Sequence, residues 1–328
     1  MSEELKSWDS VFEELFLMKH PVDDELSYQA LILDGKDSCI YICQLWEGVF
    51  LWGNDIHIRY IQHLKNDLNK MNFAVLNICH SGRCEVSLSD DTYVYMAPGL
   101  FNVNCTAPKK GYSYPGGFYE GIEIGINLDV IKERVPPELS SFGLDLDYLL
   151  SLLEKGSGNY MATVTDEALQ ESRFLYDSLK KGNLKLCDYR FLTVSLLYHL
   201  KNGYASETKN RTLLTRGQRR IAIEVEQILM EDFRKRFTVE ELAERYEISP
   251  SALKKYFELV FGMPISYYLR EKRMEKAKNL LVESRMNVGE ISTICGYENQ
   301  GKFGAAFKAY SGSSPLEYRR LHKNENKE

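Results

Sequence analysis

The sequence predicts an α+β chain of two domains, an N-terminal β-sandwich or barrel carrying a helical hairpin and a C-terminal all-α domain with two helix-turn-helix units. Three observations predict it. Short runs rich in aromatic and β-branched residues, broken by turn signals, succeed one another over residues 28–126. Helical periodicity takes over after Asn127. Over residues 237–320 two patterns of short helix, turn and longer helix are joined by one long helix.

The chain's 328 residues exceed one typical domain of about 150 residues, and 44% hydrophobic with 27% charged residues is a globular composition. The net charge of -6 hides a split. From Asn210 onward lie 22 of the 41 Lys and Arg and 17 of the 47 Asp and Glu, a balance of +5 against -11 for the first 209 residues. The C-terminal part therefore suits a polyanion better than the N-terminal part does. No run of 18 apolar residues occurs, and Met1-Ser-Glu-Glu-Leu-Lys lacks the basic start of a signal peptide. The expectation is a cytoplasmic protein with no membrane partner. The seven cysteines, Cys39, Cys43, Cys79, Cys84, Cys105, Cys187 and Cys295, contain no C-x-x-C pair and read as reduced thiols.

In order, Leu5, Trp8, Phe12 and Leu15 fall at helical intervals. Strands are predicted over residues 28–33, 39–45, 49–52, 56–64, 73–79, 84–88, 92–96, 100–105 and 118–126, separated by turn pairs such as Asp34-Gly35, Ser81-Gly82 and Pro98-Gly99. Helices are predicted over 129–135, 144–154, 165–181 and 184–201. Thr165 caps the third, with Asp166 and Glu167 in its first turn, and Asn202-Gly203 closes the fourth. The last two form a hairpin that packs on the sheet or forms a subunit interface. Residues 203–210 are polar and aperiodic, so they read as a linker between a 1–202 domain and a 211–328 domain.

In the first C-terminal pattern Val239, Leu242, Ala243 and Tyr246 share one face, Ser249 stands at an N-cap, and Pro250 occupies the first helical position. Leu253, Phe257, Val260 and Phe261 then form a buried face ended by Gly262. Ser251, Lys254, Lys255 and Glu258 are left on the outer stripe, either an ordinary solvated face or one that fits the DNA major groove. The helical stretch 265–283, at about 1.5 Å per residue, measures roughly 28 Å. That suits two recognition helices about one DNA turn apart.

Ala277, Leu280, Leu281, Val288, Ile291, Ile294, Cys295, Gly296-Tyr297, Phe303, Phe307-Lys308, Tyr310, Gly312, Pro315, Tyr318 and Arg319 carry a resemblance to the AraC/XylS family of bacterial transcription regulators over residues 215–320. The resemblance implies double-stranded DNA as partner, with groove contacts from Ser251, Lys254 and Lys255 in the first recognition helix and from Gln300, Gly301, Lys302, Gly304 and Ala305 in the second. Gly301, Gly304 and Ala305 depart from the longer polar side chains often found there. The first helix is therefore expected to read bases, while Gln300, Lys302, Lys308 and the backbone anchor the second.

The resemblance further implies a cupin-like domain over residues 25–202 that binds a small-molecule effector and forms a homodimer through the helical hairpin. It also implies contact with RNA polymerase, since activators predominate in the family. Trp46, Trp52, Tyr60, Tyr93, Tyr95, Tyr112, Tyr114 and Tyr119 supply stacking surface for such an effector, whether sugar, phenolic or sterol-like, or else fill the core. His57, Arg59 and His80 are candidates to orient a polar group. No His-x-His pair occurs, and Arg59 stands where a second ligand would, so no metal, cofactor or enzyme activity is expected. The alternatives are a cupin-type enzyme fused to a DNA-binding domain, and a regulator controlled by a protein partner.

Overall fold

A computed structural model of the chain describes residues 20–21, 27–31, 38–61, 72–87, 91–105, 112–144, 146–155, 159–207 and 213–325. The chain divides into two compact units, Met1–Leu213 and Leu214–Glu328. The predicted helix of Leu5, Trp8, Phe12 and Leu15 lies outside the described residues.

In the first unit the alternating runs become strands β1 His20–Pro21, β2 Ser27–Leu31, β3 Cys39–Trp46, β4 Val49–Ile56, β5 Tyr60–Ile61, β6 Phe73–Gly82, β7 Cys84–Ser87, β8 Thr92–Met96, β9 Leu100–Asn104, β10 Tyr112–Ser113, β11 Tyr119–Asn127, β12 Asn159–Val164 and β13 Ala205–Glu207. Nine of them form one antiparallel sheet in the order β1-β2-β3-β4-β11-β6-β9-β12-β13. Helices α1 Leu128–Glu133, α2 Pro137–Ser140, α3 Leu146–Lys155, α4 Asp166–Lys181 and α5 Leu186–His199 follow the last central strand.

Side chains alternate across a strand, so each strand feeds two cores. Leu51, Leu76, Ile78, Ile122, Ile124, Phe101 and Val103 meet Ala168, Leu175, Tyr176 and Leu179 of α4 and Leu196 and Leu197 of α5 in the larger core. Each such aliphatic side chain, fully buried, contributes about 1.5–3 kcal/mol. Thr165 caps α4 as expected, its side chain accepting from the Ala168 amide at 3.3 Å, and Gly182 ends it in a left-handed turn at φ 59°. The opposite face of the sheet meets the β5–β10 and β7–β8 pairs, with Ile56, Cys79, Tyr119 and Met161 packing on Ile61, Cys84, Val94, Met96 and Tyr114.

Two expectations are corrected. Asn159–Val164, which falls between the helices predicted over 144–154 and 165–181 with no strand predicted there, is a strand beside β9. Its six residues are too few to show a period against the helices around them. Ala205–Glu207, read as part of the 203–210 linker, pairs with Ala162, Thr163 and Val164 at the sheet edge. An edge strand needs only backbone hydrogen bonds there, so it shows no apolar pattern.

The second unit is all helical apart from its first residues: α6 Arg216–Glu231, α7 Val239–Glu244, α8 Pro250–Phe261, α9 Ile265–Glu283, α10 Val288–Ile294, α11 Gln300–Ser311 and α12 Pro315–Glu325. Reciprocal caps open four of them, Thr215 with Gln218, Thr238 with Glu241, Asn287 with Glu290 and Ser314 with Glu317. Each cap is worth about 1 kcal/mol. Leu253, Phe257, Gly262 and Tyr268 recur at one constant offset as Phe303, Phe307, Gly312 and Tyr318. The Tyr268 ring meets Phe257 edge-on at 5.4 Å, and Tyr318 meets Phe307 in the same way at 5.4 Å. Long α9 serves both halves, with Ile265 and Tyr268 buried near its start and Met274, Ala277 and Leu281 near its end.

Candidate functional site

Helix α8 begins where Ser249 Oγ accepts from the Ala252 amide at 3.2 Å, and the Ser249 and Ser251 hydroxyls stand 3.0 Å apart. Pro250 fits the first turn because its missing N–H would have had no helical partner. Leu253, Phe257 and Val260 are fully buried, which turns Ser251, Lys254, Lys255 and Glu258 outward; all four are exposed. In α11 the cap is Asn299, whose Oδ1 accepts from the Gly301 amide at 2.8 Å and the Lys302 amide at 3.0 Å. Phe303 and Phe307 are fully buried, leaving Gln300, Gly301, Lys302, Ala305 and Lys308 exposed and Gly304 half-buried. A methyl group added at Gly304 would meet nothing within 4 Å, so no packing demands glycine there.

The turns before these helices differ. Glu247 adopts φ 54° in the first, where the second has Gly296 at φ 78°. A Cβ at Gly296 would collide with the Phe233 carbonyl and sit 2.8 Å from the Arg273 guanidinium, which itself donates to that carbonyl at 2.6 Å. Only glycine fits that backbone. Both exposed helix faces belong to one compact unit in which no acidic residue stands on the outer stripe of α11.

In the first unit the residues expected to hold an effector separate into three groups. Trp46 and His80 face the helices. Trp46 lies in the larger core with Arg190 over its ring at 5.7 Å, and His80 Nε2 is 2.9 Å from Ser172 Oγ with its ring edge-on to Tyr176. Burial, with Arg173 adding to it, pushes the His80 pKa down to about 3 and keeps the ring neutral. The strand period explains its place, because His80 falls on the face of Ala74, Leu76 and Ile78, opposite Cys79. His57, Arg59 and Tyr60 form an exposed group at the end of β4, where His57 Nε2 meets Asp55 Oδ1 at 2.8 Å.

Trp52, Tyr114 and Tyr119 share the other side of the sheet with half-exposed Tyr112. Tyr95 and Tyr93 lie on β8, Tyr95 Oη donating to Glu85 Oε2 at 2.7 Å.

Sequence reading missed the polar residues of that same face. Glu123 Oε1 accepts from Asn77 Nδ2 at 2.7 Å, and Asn77 Oδ1 accepts from Tyr119 Oη at 2.6 Å. Asn54 also bonds the Glu123 carboxylate. Beyond Asn77 the row continues in register to Asn102, which donates to Asn159 Oδ1 at 2.8 Å. Burial pushes the Glu123 pKa up to about 7, against the two amide bonds that favour its charge. A signal was present in the sequence: in Gly121-Ile122-Glu123-Ile124-Gly125 one face is aliphatic and the other reads Gly, Glu, Gly.

The family model of a helix-turn-helix domain matches residues 242–321. Residues 242–321 form a helix-turn-helix domain of the AraC type. Among characterised sequences, the HTH-type transcriptional activator RhaR of Escherichia coli strain K12 is 33% identical over 86 residues, 26% of this chain and 30% of that protein. An uncharacterized HTH-type transcriptional regulator of the same strain, YdiP, is 30% identical over 158 residues, 47% of this chain and 50% of that protein. The matches thus span half or less of those relatives. The solved C-terminal domain of the two-component response regulator yesN from Fusobacterium nucleatum is 35% identical, covering 29% of this chain and 94% of that one with a TM-score of 0.28. The match to the AraC-type domain takes in α8, α9, α10 and α11 whole, and with them every residue from Ser251 to Lys308 expected at DNA.

Proposed function

We propose that the chain is a sequence-specific transcription regulator that binds double-stranded DNA through α8 and α11 and is controlled by a small molecule in its N-terminal, cupin-like domain. The observation that carries this reading is the pair of N-capped helices in one compact AraC-type unit. Both bury bulky side chains on one face, Leu253 and Phe257 in one and Phe303 and Phe307 in the other among them, and expose short polar and basic ones on the other. The +5 balance beyond Asn210 supports it.

The two helices act unequally. Ser251, Lys254 and Lys255 reach base edges, while Gln300, Lys302 and Lys308 anchor the second helix on the backbone, which Gly301, Gly304 and Ala305 let approach closely. Homodimerisation uses the α4–α5 hairpin, where Phe174 is 55%, Phe191 73% and Tyr198 40% exposed. Activation through contact with RNA polymerase agrees with the name of RhaR, a transcriptional activator.

The test is binding to a DNA sequence selected by the chain from a random pool, measured beside unselected DNA. Lys254→Ala with Lys255→Ala should weaken the selected complex by about 1–3 kcal/mol per lost base contact and unselected DNA much less. Equal weakening on both would overturn base reading by α8.

A further inference from the structure

On the reading that the N-terminal domain senses a small molecule, we propose that its inner sheet face takes a compact aromatic molecule bearing a protonated amine, with the amine on the Glu123 carboxylate.

The geometry is built by two glycines. Residues 121, 123 and 125 of β11 share a face, and only Glu123 carries a side chain there. The space over Gly121 is filled by Tyr119, whose hydroxyl would lie 2.6 Å from a Cβ, and the space over Gly125 by the six-membered ring of Trp52. Trp52 is also the cross-strand partner of Glu123 on β4. A single carboxylate therefore stands between two aromatic rings, steadied from the sides by Asn54 and Asn77. A carboxylate among aromatic faces attracts a cation, through direct charge and through the ring quadrupoles.

Among the described residues that cation is not supplied. The titratable groups that face Glu123 are Cys84 of β7, Tyr112 of β10, Tyr114 and Tyr119, each held in its neutral form by burial. Among the described residues no Lys, Arg or His supplies Glu123 with a positive charge. Buried carboxylates are ordinarily paired, so an amine from outside completes the set. Trp52 Nε1 has no hydrogen-bond partner among the described residues, which leaves one further donor on the same face. Glu123 and Trp52 are partly accessible and Tyr112 is 38% exposed, so this face can be reached by a molecule from outside. A carboxylate or phosphate ligand would meet repulsion from Glu123.

Three probes of one shape test this on the full chain by titration calorimetry: tyramine, its neutral alcohol counterpart 2-(4-hydroxyphenyl)ethanol, and the anionic 4-hydroxyphenylacetate. Tyramine should bind about tenfold or more tighter than the alcohol, and the acid should be weakest. In the unaltered protein, tyramine affinity should fall as pH drops below 7 and Glu123 takes up its proton, whereas the alcohol's should not. Glu123→Gln should abolish the preference for tyramine over the alcohol.

Equal or better binding of the alcohol or the acid, absence of binding by all three, or a tyramine preference that survives Glu123→Gln would overturn the proposal. The sensor reading is judged separately on selected DNA. Tyramine that binds as described yet leaves DNA affinity unchanged upholds the site and defeats the sensor. A neutral or anionic compound that binds and shifts DNA affinity does the reverse.

Discussion

Replacing Glu123 by glutamine should stabilise the N-terminal unit, and do so only where the carboxylate is charged. Burial raises the Glu123 pKa from 4.5 to about 7, so the folded state holds a proton that the unfolded chain releases. Stability contributed by this group is therefore greatest below pH 4.5 and is lost as pH rises to 7. At about 1.4 kcal/mol per pH unit the charged carboxylate costs about 3 kcal/mol at pH 8, reduced to about 2 by its remaining access to solvent. Glutamine keeps an oxygen for the Asn77 amide bond and carries no charge.

The assay is urea unfolding of the full chain followed by tryptophan emission. Trp8, Trp46 and Trp52 all precede Leu214, so the signal reports the first unit alone. Glu123→Gln should raise stability by about 2 kcal/mol at pH 8 and by under about 1 kcal/mol at pH 5. An equal change at the two pH values, or destabilisation at pH 8, would refute the assignment of a strained carboxylate.

Other outcomes follow from the same kind of argument. His80, held neutral with its pKa near 3, gives stability that is complete above pH 6.5 and is lost as pH falls below it. Its slope opposes that of Glu123 between pH 4.5 and 6.5, so His80→Gln should leave a protein whose tryptophan-reported stability drops from pH 4.5 to 7. An unchanged pH profile would defeat the reading. Gly304→Ala, facing open space in α11, should stabilise the C-terminal unit by about 1 kcal/mol in circular-dichroism unfolding. Gly296→Ala, at φ 78° against the Phe233 carbonyl, should cost at least about 2 kcal/mol in the same experiment. Similar effects at both sites would contradict the turn geometry. Phe191→Glu, on the exposed side of α5, should shift a sedimenting dimer toward monomer without lowering stability.

Local signals in the chain were easy to read because local physics made them. Thr165, Ser249 and Gly262 mark helix ends through bonds to their immediate neighbours, and each does so in the structure. The faces of α8 and α11 were legible for the same reason, since Leu253 with Phe257 and Phe303 with Phe307 fix by spacing what points outward. Residues brought together across strands were not. Nothing near Glu123 in the chain foretells Asn77 or Asn54, because their meeting depends on the register of β11 with β6 and β4. His80 is an intermediate case, for the alternation of Ala74, Leu76 and Ile78 already put it on the helix-covered side.

Helix α9 fixes more than a distance between α8 and α11, the two helices proposed to meet DNA. Its first turn is locked into one core by Tyr268 and its last turns into the other by Met274, Ala277 and Leu281, so rotation and translation along it are coupled. Each residue added to it would turn the second half by about 100° and advance it by about 1.5 Å. A single insertion therefore turns α11 relative to α8, whereas about seven restore its bearing roughly 10 Å further on. Along B-DNA that advance is about three base pairs. If both helices meet DNA as proposed, the spacing of the two contacted segments can change only in such steps, and the phase of one α-helix sets the admissible grammar of the binding site.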